Sequence, residues 1–441
     1  MNSKHKWLLP GIIILAAFVI RLIFALNAID FPERFIRPDT PTYLEPARAL
    51  LEGKFMGTGR APGYTLLAAG ALWLSPAYHA FLLALAGTFF STLTLLPLYA
   101  GTKELFNTKA ALIAMGLYAF NLTAIANAPM LLSDTFFALF AAGQFFFFLR
   151  FYRRKKGSYF YLCLLTAAAG TLIRPINLPW IAPALVMLWM LKGISIKKKI
   201  IHSAGAVLIF CAILLPWMAR NAACGAPWCI DTNTGAMLHQ NGAMILAEAH
   251  NSSYEEEKNK IRKEYDTLFQ DKIQFPDEKS REAWKMQRLR EIIAAHPWIA
   301  LKHHFNWHRI LLPDAPTLFE IAGLTKSDRG TMNVLVSRGL FAAVDHYFEG
   351  RWYLPAALLP LLAITGITYL SVLLFLFCIF LRFRRRWYMG VLFLGFTEFY
   401  LFLPGAICAP RYQLPALPLM CAFAGVMILL IFRRLFPFKK S

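Results

Sequence analysis

Apolar runs of about twenty residues recur along this chain and constrain its fold more than any other feature. They lie at roughly 11–29, 78–100, 109–126, 134–151, 157–173, 176–191, 200–218, 354–381, 387–404 and 412–432. A bilayer core about 30 Å thick takes about twenty residues of helix at 1.5 Å each. Inside it, backbone polar groups must be satisfied within the segment, which a helix does and an open strand does not. With 58% apolar residues in 441, the prediction is an all-α polytopic membrane protein with about ten transmembrane helices.

The net charge of +21 raises the question of nucleic acid. The excess sits in short clusters beside the apolar runs: Lys4/Lys6, Lys103/Lys109, Arg153–Lys156, Lys197–Lys199, Arg382–Arg386 and Arg433–Lys440. That is the pattern of cytoplasmic loops, and no basic face with interleaved aromatics stands apart from it. No nucleic-acid partner is expected. All six clusters share the cytoplasmic side if 63–75 does not cross. That segment, GYTLLAAGALWLS, offers about thirteen residues, too few to span. Both termini are then expected in the cytoplasm. The first apolar run lacks a small-x-small cleavage site and reads as a retained helix.

The same parity places five polar features on the outer side: the Arg37–Tyr64 loop, Asp134, Arg174, the segment 219–353 and Arg411. Three regions follow. Residues 1–218 form a transmembrane module with a first outer loop at 30–76, 219–353 form an extracytoplasmic, mainly helical domain, and 354–441 return as transmembrane helices. Within the first loop, Tyr43, Leu44, Ala47, Leu50 and Leu51 fall at helical spacing, so a juxtamembrane helix is expected. The stretch HPWIALKHHFNWHRILLPD, from His296, reads as a helix at the membrane interface.

Asp39 lies in Pro38-Asp39-Thr40-Pro41. It reads as a turn initiator or helix cap, and equally as a fixed carboxylate able to take a proton from a hydroxyl acceptor. Asp30, nearer the first span, is a weaker candidate. Arg60, Arg174 and Arg411 each read in two ways, as arginines snorkelling to headgroups or as planar forks for a phosphate. Asp134 opens a span and reads either as its cap or as a second site acid. His304 and His308 share a helical spacing, with His296 and His303 nearby, but no carboxylate completes a metal motif there. Cys224 and Cys229 fall in the outer segment, where a disulfide and two free thiols are both open.

At these residues the chain resembles the polytopic glycosyltransferases of the GT-C class, bacterial relatives of protein O-mannosyltransferases and of the lipid A aminoarabinose transferase (glycosyltransferase family 39-like). The matching elements are Asp39-x-x-x-Tyr43, Ala47, Gly53, RAPGY at 60–64, LLSD at 131–134 and TLIRP at 171–175. LLPWMARN at 214–221, GAMLHQNG at 235–242, EIIAAHPW at 291–298 and APRYQLPALP at 409–418 continue the series. The resemblance implies a sugar donor on a polyprenyl phosphate and an acceptor that is an envelope lipid, glycan or protein. It also implies a site on the outer face of a bacterial cytoplasmic membrane. It casts Asp39 as the base, with Asp134 as the second acid. Arg60, Arg174 and Arg411 become the phosphate ligands, and Tyr43, Tyr64 and Tyr412 the substrate-binding aromatics. Relatives often carry an acidic pair or Glu at the Asp39 position, and Glu at that of Asp134, which leaves a divalent metal open.

The residue chemistry agrees with inversion by single displacement. A polyprenyl phosphate is a good leaving group that needs cationic stabilisation, not a strong acid. One carboxylate then suffices for the incoming hydroxyl. A transporter or flippase of lipid-linked sugars, the main alternative, would show paired helix breaks in two inverted halves. A membrane scaffold would leave the acids and arginines idle, and a surface-polysaccharide polymerase or ligase differs mainly in acceptor and donor size.

Overall fold

The computed structural model describes residues 7–54, 56–233, 237–271, 273–305, 311–325, 331–381, 400–401 and 409–435. Among them the regular structure is entirely helical, and the chain is an all-α, multi-pass membrane protein. Six helices are long and apolar enough to cross a bilayer: Leu8–Asp30, His79–Leu105, Asp134–Arg154, Ile196–Ala223, Leu359–Phe380 and Leu417–Arg434. Shorter apolar helices cover Thr108–Ala119, Gly157–Ile173 and Pro175–Met190. The expected span at 387–404 and the clusters Lys4/Lys6 and Arg382–Arg386 lie mostly or wholly outside the described residues, as does His308.

We label the helices in order: α1 Leu8–Asp30, α2 Pro41–Leu51, α3 Pro62–Leu74, α4 His79–Leu93, α5 Leu95–Leu105, α6 Thr108–Ala119, α7 Leu122–Asn127, α8 Asp134–Arg154, α9 Gly157–Ile173, α10 Ile181–Met190 and α11 Ile196–Ala223. The span expected at 109–126 is broken into α6 and α7. Asn121 ends the first and caps the second, accepting from Ala124 N at 3.1 Å. The orphaned end carbonyls of α6 find a donor in α1, where Arg21, fully buried, donates to Ala119 O at 2.9 Å and Tyr118 O at 3.2 Å. The 176–191 span likewise opens as a 3-10 turn over Pro175–Trp180 before α10, because Pro175 and Pro179 remove backbone donors.

α1 packs on α4 and α6, α8 on α5 and α9, and α9 on α11. Phe137, Phe145, Phe148, Phe151 and Phe160 fill the space around α8 and α9. Burial is unequal. Only 22% of the apolar window of α1 and 17% of that of α11 is covered by protein, so the rest of their apolar surface belongs to lipid. At the far end of α8, Arg153 donates to Leu105 O at 2.7 Å, and Arg154 pairs with Glu104 at 3.4 Å. That end and the Asp134 end are about 30 Å apart, since α8 has 21 residues. The helix length alone separates a basic face from the polar face described next.

On the Asp134 side, α2 and α3 fold back on the bundle. α3 has 13 residues, the short segment expected between Gly63 and Ser75. Tyr43, Tyr64, Phe136, Leu131, Leu318 and Phe319 make a second core under the first loop. The 219–353 segment continues as α12 Ala243–Ala249, α13 Tyr254–Leu268, α14 Glu278–Ala295 and α15 Pro297–His304. α12 to α14 close on a small core of their own around Leu238, Ile245, Ile261, Leu289 and Ile292. α16 Ala315–Ile321 docks beside α7. After α17 Thr331–Arg338, α18 Leu340–Phe348 and α19 Tyr353–Ala357, the chain returns to the bundle through α20 Leu359–Leu381 and α21 Leu417–Leu435.

Candidate active site

The first loop is stitched to the segment that leads into α8. Thr40 is buried; its hydroxyl donates to Leu131 O at 3.1 Å and accepts from Arg37 N at 2.9 Å. Leu131 N in turn donates to Phe35 O at 3.3 Å. Asp39 and Asp134 are thereby held on neighbouring strips of backbone. Gly63 brings in the third strip. A side chain there would meet Leu172 O and Ile173 at 2.8 Å, so only glycine lets the start of α3 abut the end of α9. Arg174 follows directly, released from the helix because Pro175 disfavours helical geometry before it.

The side chains converge. Asp39 accepts from Arg60 at 3.2 Å through one oxygen and from Arg411 at 2.5 Å through the other. Asp134 is paired with Arg174, and its second oxygen stands 3.9 Å from Arg411 Nε. That Nε is buried and makes no hydrogen bond among the described residues. Arg60 is held in place by Thr42, which accepts from its Nε at 2.8 Å. Three arginines and two aspartates, drawn from four distant parts of the sequence, form one cluster. Asp39 stays the most open of them at 37% side-chain exposure, against 7% for Asp134.

Aromatic rings frame the guanidinium groups. Arg60 lies over Tyr43 at 4.8 Å, and Arg174 and Arg411 lie over Tyr412 at 5.4 and 5.3 Å. Such contacts favour planar cations. The Tyr43 hydroxyl shares a hydrogen bond with Ser133 Oγ at 3.1 Å. Tyr64 is buried behind Tyr43, ring centroids 4.9 Å apart, so it supports that ring from within and does not line the cluster. Neither aspartate caps a helix with its side chain. Thr40 and Ser133 hold the cap positions of α2 and α8 without side-chain capping bonds, while both carboxylates turn to arginines.

Arg411 sits in a 3-10 turn, Pro410–Gln413, fixed by a residue that no sequence pattern marked. Buried Gln413 accepts from the Tyr369 hydroxyl at 2.5 Å and donates to Leu312 O at 3.2 Å. A second such residue is Asp231. Burial pushes its carboxyl up to about 6, with Arg60 and Arg174 pulling the other way and Glu282 adding to the rise. It belongs to a strap without hydrophobic periodicity, so no pattern marked it.

Elsewhere, Cys224 and Cys229 are free thiols. His303 faces Glu248 at 3.0 Å, and the ring of His296 faces that of His250. Among the described residues no group of three metal-ligating side chains occurs. A cleft of about 490 Å³ between α13 and α14 is lined by His250, Glu257, Glu264, Arg288 and His296. It shares no residue with the aspartate–arginine cluster.

Residues 60–218 match the model of the dolichyl-phosphate-mannose-protein mannosyltransferase family. The GT-C resemblance seen in the sequence is borne out over that stretch, which begins at Arg60 and contains Asp134 and Arg174. Asp39, Asp231 and Arg411 fall outside it. The oligosaccharyltransferase of Archaeoglobus fulgidus in its apo form is 15% identical, over 96% of this chain and 51% of that one, with a TM-score of 0.49. The archaeal oligosaccharyltransferase AglB from Archaeoglobus fulgidus, solved with an inhibitory peptide and a dolichol-phosphate, is also 15% identical. That match covers 100% of this chain and 53% of the other, again with a TM-score of 0.49. The chain thus spans about half the length of those structures. No curated protein matches it.

Proposed function

We propose that this protein is a membrane glycosyltransferase that moves a sugar from a polyprenyl-phosphate donor to an envelope acceptor, lipid, glycan or protein. The observation that carries the reading is the convergence of Arg60, Arg174 and Arg411 on Asp39 and Asp134 at one end of a membrane bundle. The dolichyl-phosphate-mannose family match over 60–218 supports it. Three arginines suit a departing lipid phosphate, because forked donors stabilise charge spread over several oxygens. The buried Arg411 Nε without a hydrogen bond is a donor already turned toward the cluster, and a phosphate oxygen would satisfy it.

In this reading the acceptor oxygen attacks the anomeric carbon, and the sugar–phosphate bond breaks with its electron pair left on the phosphate. The hydroxyl proton passes to Asp39, the more open acid. Configuration inverts, since one face is attacked once. Tyr43 and Tyr412 flank the arginines and would meet donor or acceptor. The site faces the outer side of a bacterial cytoplasmic membrane with both termini inside, a reading supported by the basic end of α8 lying about 30 Å from Asp134.

The test uses purified protein in nanodiscs with polyprenyl-phosphate sugars, comparing wild type and Asp39→Asn with and without chelator. Wild type should release free polyprenyl phosphate, and Asp39→Asn should do so at least roughly a hundredfold more slowly. Equal release by both proteins would remove Asp39 as base, and a chelator effect would bring in a metal. No release by wild type would sink the transferase reading and leave flipping in sealed vesicles to be measured.

A further inference from the structure

Asp39 and Arg60 stand 21 residues apart in the sequence, yet one hydroxyl touches both. Thr42, in the first turn of α2, donates from Oγ1 to Asp39 O at 2.6 Å and accepts from Arg60 Nε at 2.8 Å. The first bond is local, since a threonine in this position readily turns its hydroxyl to a nearby backbone carbonyl. The second is not, because Arg60 arrives from the far end of the loop. The two bonds depend on each other. A hydroxyl carries one proton, and a carbonyl oxygen can only accept, so that proton is committed to Asp39 O. Only lone pairs are left to face Arg60, whose Nε can only donate. The hydroxyl is polarised toward the guanidinium by the backbone of the residue that carries the carboxylate.

Arg60 is consequently held at three points. Its Nε is bound by Thr42, a terminal nitrogen by Asp39 Oδ1 at 3.2 Å, and its plane lies over the Tyr43 ring at 4.8 Å. Arg411, the other partner of Asp39, lacks the first of these, its Nε making no hydrogen bond among the described residues. The three holds on Arg60 are not equal during a turnover. In the transferase reading Asp39 gains a proton as the acceptor attacks, and a neutral carboxyl binds a guanidinium less well than a carboxylate does. Negative charge grows on the departing phosphate in the same step, when a displaced cation costs most. The Thr42 hydroxyl and the Tyr43 ring keep their charge state throughout, and so keep their hold.

Resting on the transferase reading, we infer that Thr42 is a positioning residue: it fixes Arg60 through Nε, so that the terminal nitrogens stay on the reacting groups once Asp39 has been protonated. It acts through Arg60 and not on the sugar or the phosphate itself.

The experiment offers polyprenyl-phosphate mannose, glucose, galactose and arabinose to protein in nanodiscs and follows the donor that wild type turns over. Rates of polyprenyl phosphate release are taken per folded molecule. Thr42→Val keeps the branched shape and removes the acceptor for Nε. Its kcat should fall by roughly tenfold or more, with KM for the donor changed by less than about threefold, because Asp39 and Tyr43 still place Arg60 until the proton moves. Thr42→Ser should recover most of the rate. The deciding arm is a cycle with Arg60→Lys, which keeps a cation and loses Nε. In that background Thr42→Val should slow release by less than about twofold further, since the bond it removes is already gone. A kcat for Thr42→Val within about twofold of wild type overturns the inference. So does a Thr42→Ser variant as slow as Thr42→Val, or a full additional loss in the Arg60→Lys background, which would make Thr42 a prop for α2 alone. In each of these cases the transferase reading stands. No release from any of the donors by wild type overturns both.

Discussion

Asp39 and Asp134 occupy the guanidinium positions that a phosphate would want. Each carboxylate stands in for anionic oxygens: Asp39 bridges Arg60 and Arg411, and Asp134 holds Arg174. This keeps buried cations neutralised when no donor is bound, which matters because an unpaired buried charge costs about 3–5 kcal/mol. On the proposed reading, donor or product would displace a carboxylate from its arginines, and Asp39 would be freed to act as a base when the phosphate arrives. Asp39→Asn should therefore have two opposite effects, lost turnover and tighter product binding. Polyprenyl phosphate should bind the variant roughly tenfold more tightly, because a neutral amide competes less well for Arg60 and Arg411. Titration in nanodiscs measures it, and equal or weaker binding would mean that carboxylate and phosphate do not share these arginines. Residue types were legible here: an acid between two prolines and arginines at span ends are costly enough to be noticed in a sequence. Gln413 was not, because its part comes from the bonds it makes to Tyr369 and Leu312, far from it in sequence.

Helices show the same division between what hydropathy reveals and what it hides. The apolar runs located α1, α8, α9 and α11 within a few residues, since a spanning segment must be apolar throughout. They did not reveal the break between α6 and α7. A break in a membrane needs a donor for each freed carbonyl, and that donor is Arg21, two helices away and in the middle of an apolar run. Its guanidinium also takes Ala17 O at 3.0 Å and donates to Ser91 Oγ at 3.0 Å, so one side chain ties α1, α4 and α6 together. Arg21→Met keeps the length and removes every donor. The carbonyl of Ala119 would lose the Arg21 donor, while that of Tyr118 keeps the bond from Asn121 N at 3.3 Å, at a cost of about 1–3 kcal/mol. The expected result is a lower unfolding midpoint in detergent with an unchanged rate of polyprenyl phosphate release per folded molecule. An unchanged midpoint would show that water or a shifted helix end supplies the bonds instead.

For the molecule as a whole, the cluster belongs to no single part. The family-matched stretch supplies Arg60, Asp134 and Arg174, the loop before it supplies Asp39, and the C-terminal region supplies Arg411. The 219–353 segment meets the loop through the core that Leu318 and Phe319 share with Tyr43 and through two polar edges. Arg37 pairs with Glu320 at 2.8 Å at one edge, and Glu278 holds Thr58 and Thr232 at the other. Because α12 to α14 have their own core, the domain can stay folded while its hold on the site loosens. Glu278→Ala separates the two. It removes the shared acceptor but leaves the Thr232 N to Thr58 O bond, so the strap at 229–233 should detach in part and not unfold. Hydrogen exchange at 57–60 and 229–233 should rise together, while α14 beyond its first turn keeps its protection. Transfer efficiency should drop by roughly tenfold, because displacing the 229–233 strap by even about 1 Å moves the turn that carries Arg60. If the two segments loosened independently, or exchange rose with no loss of transfer, the 219–353 segment would be a passenger and the site would belong to the bundle alone.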